Sequence, residues 1–245
     1  VPADSPLARV RVVLVETSHP GNIGAAARAM KTMGIDALAL VRPRHFPHAE
    51  AEAMASRATD ILAAARVCDT LDEALAGTVF AVACTARSRD LSHPVLTPRE
   101  AAARVIDEAR RGPVALVMGP EKYGLTGQDV NRCSVIATIP ANAEYSSLNL
   151  AAAVQLFAYE VRLAAERIET LPQESYPPAP HEDVEQLIAH LEQTMIDIGF
   201  LDPASPKRLM QRMRRLFARA RLEREEVNIL RGILAAAQAA ARRKT

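Results

Sequence analysis

The stretch Val135-Ile-Ala-Thr-Ile-Pro-Ala-Asn-Ala-Glu-Tyr-Ser-Ser-Leu-Asn-Leu150, with the apolar segment behind it, sets the reading of the chain. Val135 to Ile139 is apolar and β-branched, the composition of a buried strand. Pro140, Ala141, Asn142 and Ala143 break that run. From Ser147 onward Leu148, Ala151, Ala152, Leu156 and Tyr159 recur at helical spacing through Ala165. Ser146 or Ser147 suits the N-cap, since a hydroxyl accepts from first-turn N–H groups that lack a partner. Strand, small-residue loop and capped helix is how α/β proteins build a ligand loop. An ordinary strand-to-helix turn reads the same way, so the stretch is informative only beside its neighbours.

Those neighbours alternate in the same way. Val10–Val15, Ala37–Val41, Thr78–Cys84 and Val114–Met118 are short apolar strand candidates. Between them lie helix candidates: from Ala25 to near Gly34, from Ala49 to Ala65, from Leu71 to Ala76 ended by Gly77, and from Pro98, capped by Thr97, to about Arg111. A short helix is expected near Gln128, and Val1 to Ala8 reads as a disordered lead-in. Alternating strands and helices predict an α/β fold with a mostly parallel sheet flanked by helices. Residues 167–180 are Pro-rich and read as a linker, leaving domains at 1–166 and 181–245. The second is all helical: Met210, Met213, Leu216, Phe217 and Ala220 form one face, and Arg208, Arg212, Arg215 and Arg219 another.

The formal net charge of +1 hides an asymmetry. Residues 203–245 carry 12 Lys/Arg against 3 Asp/Glu, while the remainder carries 18 against 26. A basic appendage on an acidic body fits a polyanionic partner. No run approaches the ~20 apolar residues of a membrane span, and no basic-then-apolar leader is present. Cys68, Cys84 and Cys133 are odd in number and lack CxxC spacing. They read as buried thiols of a cytoplasmic protein, with no metal site.

Three segments then fall in order: His19-Pro-Gly-Asn-Ile-Gly-Ala-Ala-Ala-Arg28, Val117-Met-Gly-Pro-Glu-Lys-Tyr-Gly-Leu-Thr126 and Tyr145-Ser-Ser-Leu-Asn149. They resemble the three signature motifs of the SPOUT superfamily of RNA 2′-O-ribose methyltransferases. In that pattern an early Asn is followed by Arg six residues on, then G-x-E-x-x-G, then S-L-N; here these are Asn22 and Arg28, Gly119, Glu121 and Gly124, and Ser147, Leu148 and Asn149. The flanking text is similar to the TrmJ branch. The resemblance is dense over residues 9–165 and implies a C-terminal trefoil knot, a homodimer and S-adenosylmethionine as cofactor. It further implies tRNA as substrate, at the pyrimidine that opens the anticodon loop (position 32). The cofactor cradle would be Cys84, Thr85 and Ala86, Gly119, and Ile139 with Ser146, Ser147 and Leu148. Arg28, Asn22, Glu121, Ser147 and Asn149 would be the catalytic set.

Chemistry constrains those roles. The family assigns the matching Arg to activating the 2′-hydroxyl, yet a guanidinium, which holds its proton far above neutrality, is a poor base there. Holding the adjacent phosphate and stabilising the forming alkoxide suits Arg28 better. Gly21 and Gly24 would let backbone approach a phosphate at that helix's start. Glu121 could pair with the sulfonium, bond a ribose hydroxyl, or cap the next helix. Pro120 departs from the branch, whose close members carry Arg there. That departure leaves a second reading open, an RNA-binding protein on a non-catalytic SPOUT scaffold. Arg87 and Arg89 would frame a basic patch. A nicotinamide dehydrogenase also has alternating α/β elements, but Gly21-Asn-Ile-Gly24 lacks GxGxxG spacing.

Overall fold

The computed structural model describes residues 5–86, 94–142, 144–167 and 177–243, and Arg87 and Arg89 lie outside them. The chain divides into two compact units, 1–173 and 174–245. In the first, strands β1 (Val10–Val15), β2 (Ala37–Val41), β3 (Arg66–Cys68), β4 (Phe80–Cys84), β5 (Val95–Leu96), β6 (Val114–Met118) and β7 (Val135–Ala137) form one sheet. Its order is β3-β2-β1-β6-β4-β7-β5, and every pairing in it is parallel.

Side-chain alternation divides the core in two. Val10, Val12 and Leu14, Phe80 and Val82, and Val114, Leu116 and Met118 point to one face. That face is covered by α1 (Pro20–Met33), α2 (Ala49–Ala55), α3 (Thr59–Ala63), α5 (Pro98–Ala109) and α7 (Leu150–Arg167). Val13, Ala81, Ala83, Ala115 and Val117 point to the other. Their smaller side chains let the short helices α4 (Leu71–Leu75) and α6 (Gly127–Asn131) sit close.

Several boundaries differ from the sequence reading. Helix α1 starts at Pro20 rather than Ala25, because proline at the first helical position loses no bonded N–H. The predicted helix over 49–65 is two helices, broken where Ser56 adopts φ +56°, and β3 follows unannounced. Strand β7 ends at Ala137, two residues early. The lead-in is not wholly irregular: Pro6–Arg9 form a 3-10 helix with Leu7 buried. Helix α7 is capped neither by Ser146 nor by Ser147. Asn149 Oδ1 accepts from Ala151 N–H (2.9 Å) and Ala152 N–H (3.3 Å), while its carbonyl accepts from Ala153 N–H.

Gly24 has a packing role. A Cβ built there would lie 2.0 Å from the carbonyl oxygen of Ala51, so α1 and α2 touch backbone to backbone. Gly24→Ala should force the helices apart and cost about 1–3 kcal/mol, read as a lowered urea midpoint with unchanged slope. Gly21→Ala should cost less, because its Cβ would meet only the flexible Glu50 carboxylate.

The second unit packs α8 (His181–Asp197), α9 (Leu209–Ala220) and α10 (Arg224–Arg242) around Ala179, Leu187 and Val227. Residues 177–179, at the end of the Pro-rich stretch, bond to 222–224 through Ala179 N–H to Leu222 O (2.8 Å) and Arg224 N–H to Pro177 O (3.2 Å). Of the apolar face expected on α9, Phe217 packs on this core but Leu216 is exposed, and no α9 residue is fully buried. Arg214 is instead anchored to Glu185 on α8.

Candidate active site

Register brings the candidate residues together. Leu14, Met118, Cys84 and Ala137 pair across β1, β6, β4 and β7 at one level. The loops that follow therefore leave the sheet along one edge, at the carboxyl ends of parallel strands, where open α/β folds hold ligands. Three of them wall a cavity of about 310 Å³. Cys84, Thr85, Ala86, Gly119, Ile139, Ser146, Ser147 and Leu148 all line it. Met118, Pro120, Lys122 and Gly124 complete the middle loop, and Leu150, Ala153 and Phe157 add the first turns of α7. The α7 contributions were open to a sequence reading, since positions 150, 153 and 157 share one helical face.

The middle loop is closed by its own backbone. Pro120 O accepts from Gly124 N–H at 2.8 Å, and Gly124 takes φ +64°. Pro120 needs no N–H for that turn, so proline at this position is compatible with the closed loop.

Glu121 does not cap a helix. Thr126 and Asp129 cap α6 by their own reciprocal bonds. The Glu121 carboxylate reaches back to the β1–α1 turn. It accepts from Ser18 N–H (2.9 Å), His19 N–H (3.3 Å) and Asn22 Nδ2 (2.9 Å). Asn22 Oδ1 then accepts from Asn149 Nδ2 at 2.9 Å. One chain of hydrogen bonds thus ties all three motifs through residues 127 and 99 positions apart. Partial burial acts to raise the Glu121 pKa. The bonds from Asn22, Ser18 and His19 outweigh it and hold the carboxyl below its usual value, hence ionised at neutral pH. Ser18 and His19 act here through backbone N–H groups, which no residue-type motif advertises.

Asn22 sits on the first turn of α1, not on the loop before it. Arg28 lies about 9 Å further along the helix axis. It is exposed, lines no part of the cavity, and makes no ion pair or hydrogen bond among the described residues. Ser147 lines the cavity, and Asn149 belongs to the bonded chain rather than to the wall.

The walls suit a nucleoside-bearing cation. Ile139, Leu148, Leu150 and Phe157 offer an apolar slot, the hydroxyls of Thr85, Ser146 and Ser147 a polar margin, and Glu121 a negative charge. All three cysteines are free and buried, and burial pushes the Cys84 and Cys133 thiols up, away from nucleophilic behaviour. Among the described residues no cluster of His, Cys, Asp or Glu could hold a metal, and no helix is long and apolar enough to cross a membrane.

Known proteins are similar to this chain in sequence and in fold. The SpoU rRNA methylase family profile matches residues 9–159, and that of the tRNA methyltransferase TrmJ C-terminal domain matches residues 182–245. The chain is 50% identical over 247 residues to the tRNA (cytidine/uridine/adenosine-2′-O-)-methyltransferase TrmJ of Pseudomonas aeruginosa (strain UCBPP-PA14), covering 96% of each chain. It is 52% identical to the tRNA (cytidine/uridine-2′-O-)-methyltransferase TrmJ of Sodalis glossinidius (strain morsitans), over 93% of this chain and 91% of that protein. The crystal structure of TrmJ from Z. mobilis ZM4 superposes with a TM-score of 0.81 at 38% identity, covering 92% of this chain and 97% of that one.

Proposed function

The chain belongs to the SpoU methylase family, in its TrmJ branch, and from that premise we propose how its residues methylate a tRNA ribose. The observation that carries the reading is the bonded chain Asn149–Asn22–Glu121, which joins the three motifs beside a cavity walled by the loops after β4, β6 and β7. Cys84, Thr85, Ala86, Gly119, Ile139, Ser146, Ser147 and Leu148 would hold S-adenosylmethionine, which would supply an electrophilic methyl group. The rest is positioning, which holds a hydroxyl oxygen in line and excludes water. Glu121, pinned by Asn22 and two backbone N–H groups, fixes the start of α1 against the cavity. That anchoring sets where Arg28 stands along the helix. Arg28 grips the phosphate next to the target ribose and stabilises the negative charge that develops on the hydroxyl oxygen as it takes the methyl group, the proton passing to solvent.

The target we propose is the pyrimidine ribose at position 32. Incubation with unmodified tRNA and methyl-labelled cofactor, followed by nucleoside mass mapping, should give 2′-O-methylcytidine or 2′-O-methyluridine there. Cofactor binding with no transfer to any tRNA would favour the non-catalytic alternative.

The basic unit, residues 181–245, is proposed to hold most of the tRNA phosphates. Arg212 and Arg219 on α9 are exposed, and α9 holds no acidic residue. Replacing both by alanine should weaken tRNA binding and flatten the slope of log affinity against log salt by about 1 for each arginine removed. An unchanged slope in filter binding across a salt series would remove these arginines from the interface.

A homodimer is proposed as the working unit. Leu156 and Tyr159 on α7 are exposed at 41% and 46%, and Leu156 lines a shallow depression with Ile139 and Pro140. Ile139 also lines the cavity, so covering that depression would stiffen the cofactor wall. Leu156→Lys should shift sedimentation toward the monomer and weaken cofactor binding in parallel. A dimer unaltered by Leu156→Lys would place the interface elsewhere.

A further inference from the structure

Helix α10 has two different faces. Val227, Leu230 and Leu234 turn inward onto the second unit's core, and Gln238 turns inward to bond His190 and Asp197. The opposite face should be polar if water covers it. It is not. Ile229 and Ile233 are each 60% exposed, and Gly232, Ala236 and Ala240 share their side of the helix. A Cβ built at Gly232 would meet nothing within 4 Å. Between Val227 and Ala241 the one charged residue is Arg231, which bonds Gln186 on α8.

Charge enters this face only at its ends. Glu225 and Arg243 are both exposed and eighteen residues apart, which at 100° per residue gives the same azimuth. The separation is about 27 Å along the axis. An apolar strip with an acid at one end and a base at the other is self-complementary in the antiparallel sense. Setting Glu225 against Arg243 of a second copy places Ile229 against Ala239 and Gly232 against Ala236 of that copy. Large side chains then meet small ones, which lets the helices approach closely. A parallel pair would oppose like charges. An RNA backbone would find almost no cation on the strip, whereas α9 offers several.

We propose that α10 is a self-docking element: two copies of the chain pair these helices antiparallel through Ile229, Gly232, Ile233 and Ala236, with Glu225 of each facing Arg243 of the other. The pairing would couple two basic units into one surface. It draws on neither the catalytic reading nor the α7 face.

Cysteine cross-linking of full-length chains tests it, since native Cys68, Cys84 and Cys133 are buried. Chains carrying Glu225→Cys and size-tagged chains carrying Arg243→Cys are co-expressed, purified and oxidised. A mixed disulfide dimer is expected, with no disulfide dimer from either variant expressed alone. Self-linking by one variant would mean parallel pairing, and absence of the mixed band would mean that α10 docks on its own chain or nowhere; each overturns the proposal. Adding Ile229→Lys and Ile233→Lys to both chains should reduce the mixed band to background while leaving the helical circular-dichroism signal unchanged, because both residues face away from the core. A band that survives those lysines would also overturn it.

Discussion

Arg28→Ala is expected to lower methyl transfer by about 10²–10³-fold while leaving affinity for S-adenosylhomocysteine unchanged, the magnitude set by removal of one preorganised donor from a developing oxyanion. Arg28 is exposed and makes no hydrogen bond or ion pair among the described residues, so its removal leaves the helix and the cavity intact. A fully charged guanidinium in such a position is available to a substrate phosphate and to the sugar oxygen beside it. Arg28→Lys should recover little, because an ammonium cannot reproduce the planar two-pronged grip. Single-turnover transfer to tRNA and calorimetric titration with S-adenosylhomocysteine separate the two effects. Wild-type turnover in the alanine variant would remove Arg28 from the mechanism.

Gly119→Ala acts on the other half of the reaction. A Cβ at 119 would stand 2.3 Å from Gly124 C and 2.3 Å from Leu125 N, both backbone atoms that cannot swing aside. The 120–124 turn must therefore open, carrying Glu121 away from Ser18, His19 and Asn22. The cavity wall and the bond network fail together. Cofactor binding should be lost, with a stability cost of about 1–3 kcal/mol from overpacking. Gly127→Ala is the matched control, since its Cβ would meet nothing within 4 Å. A Gly119→Ala chain that binds S-adenosylhomocysteine as wild type does would show that this loop is not part of the cradle.

The alternation of strands and helices was legible in the sequence because each element buries a face and so carries a period. Five of the seven strands have a core that is apolar in sequence. Strand β3 escaped notice because Arg66-Val67-Cys68 lies at the sheet edge with Val67 exposed, and β5 is two residues long. The break near Ser56 escaped because an alanine-rich run shows no preference between one helix and two. At the site, two of the three loops could be named from their motifs and the third, 84–86, as a small-residue loop at a strand end, and the structure lines one cavity with all eight residues of the expected cradle. What they bond to could not. Glu121 was open to three roles, of which capping the next helix falls away; its carboxylate clasps the β1–α1 turn, 99 residues away from Asn22. Hydrogen bonds across such separations leave no periodic trace. The same holds for Gly24, whose glycine answers to a carbonyl on α2.

Hydrogen–deuterium exchange with and without S-adenosylhomocysteine addresses convergence of the three turns in one experiment. Saturating ligand should slow exchange together in the segments around 84–86, 118–124 and 139–150, and leave α8 to α10 unchanged. Binding accompanied by protection in only one of those segments, or confined to the start of α1, would contradict a shared seat for the methyl donor.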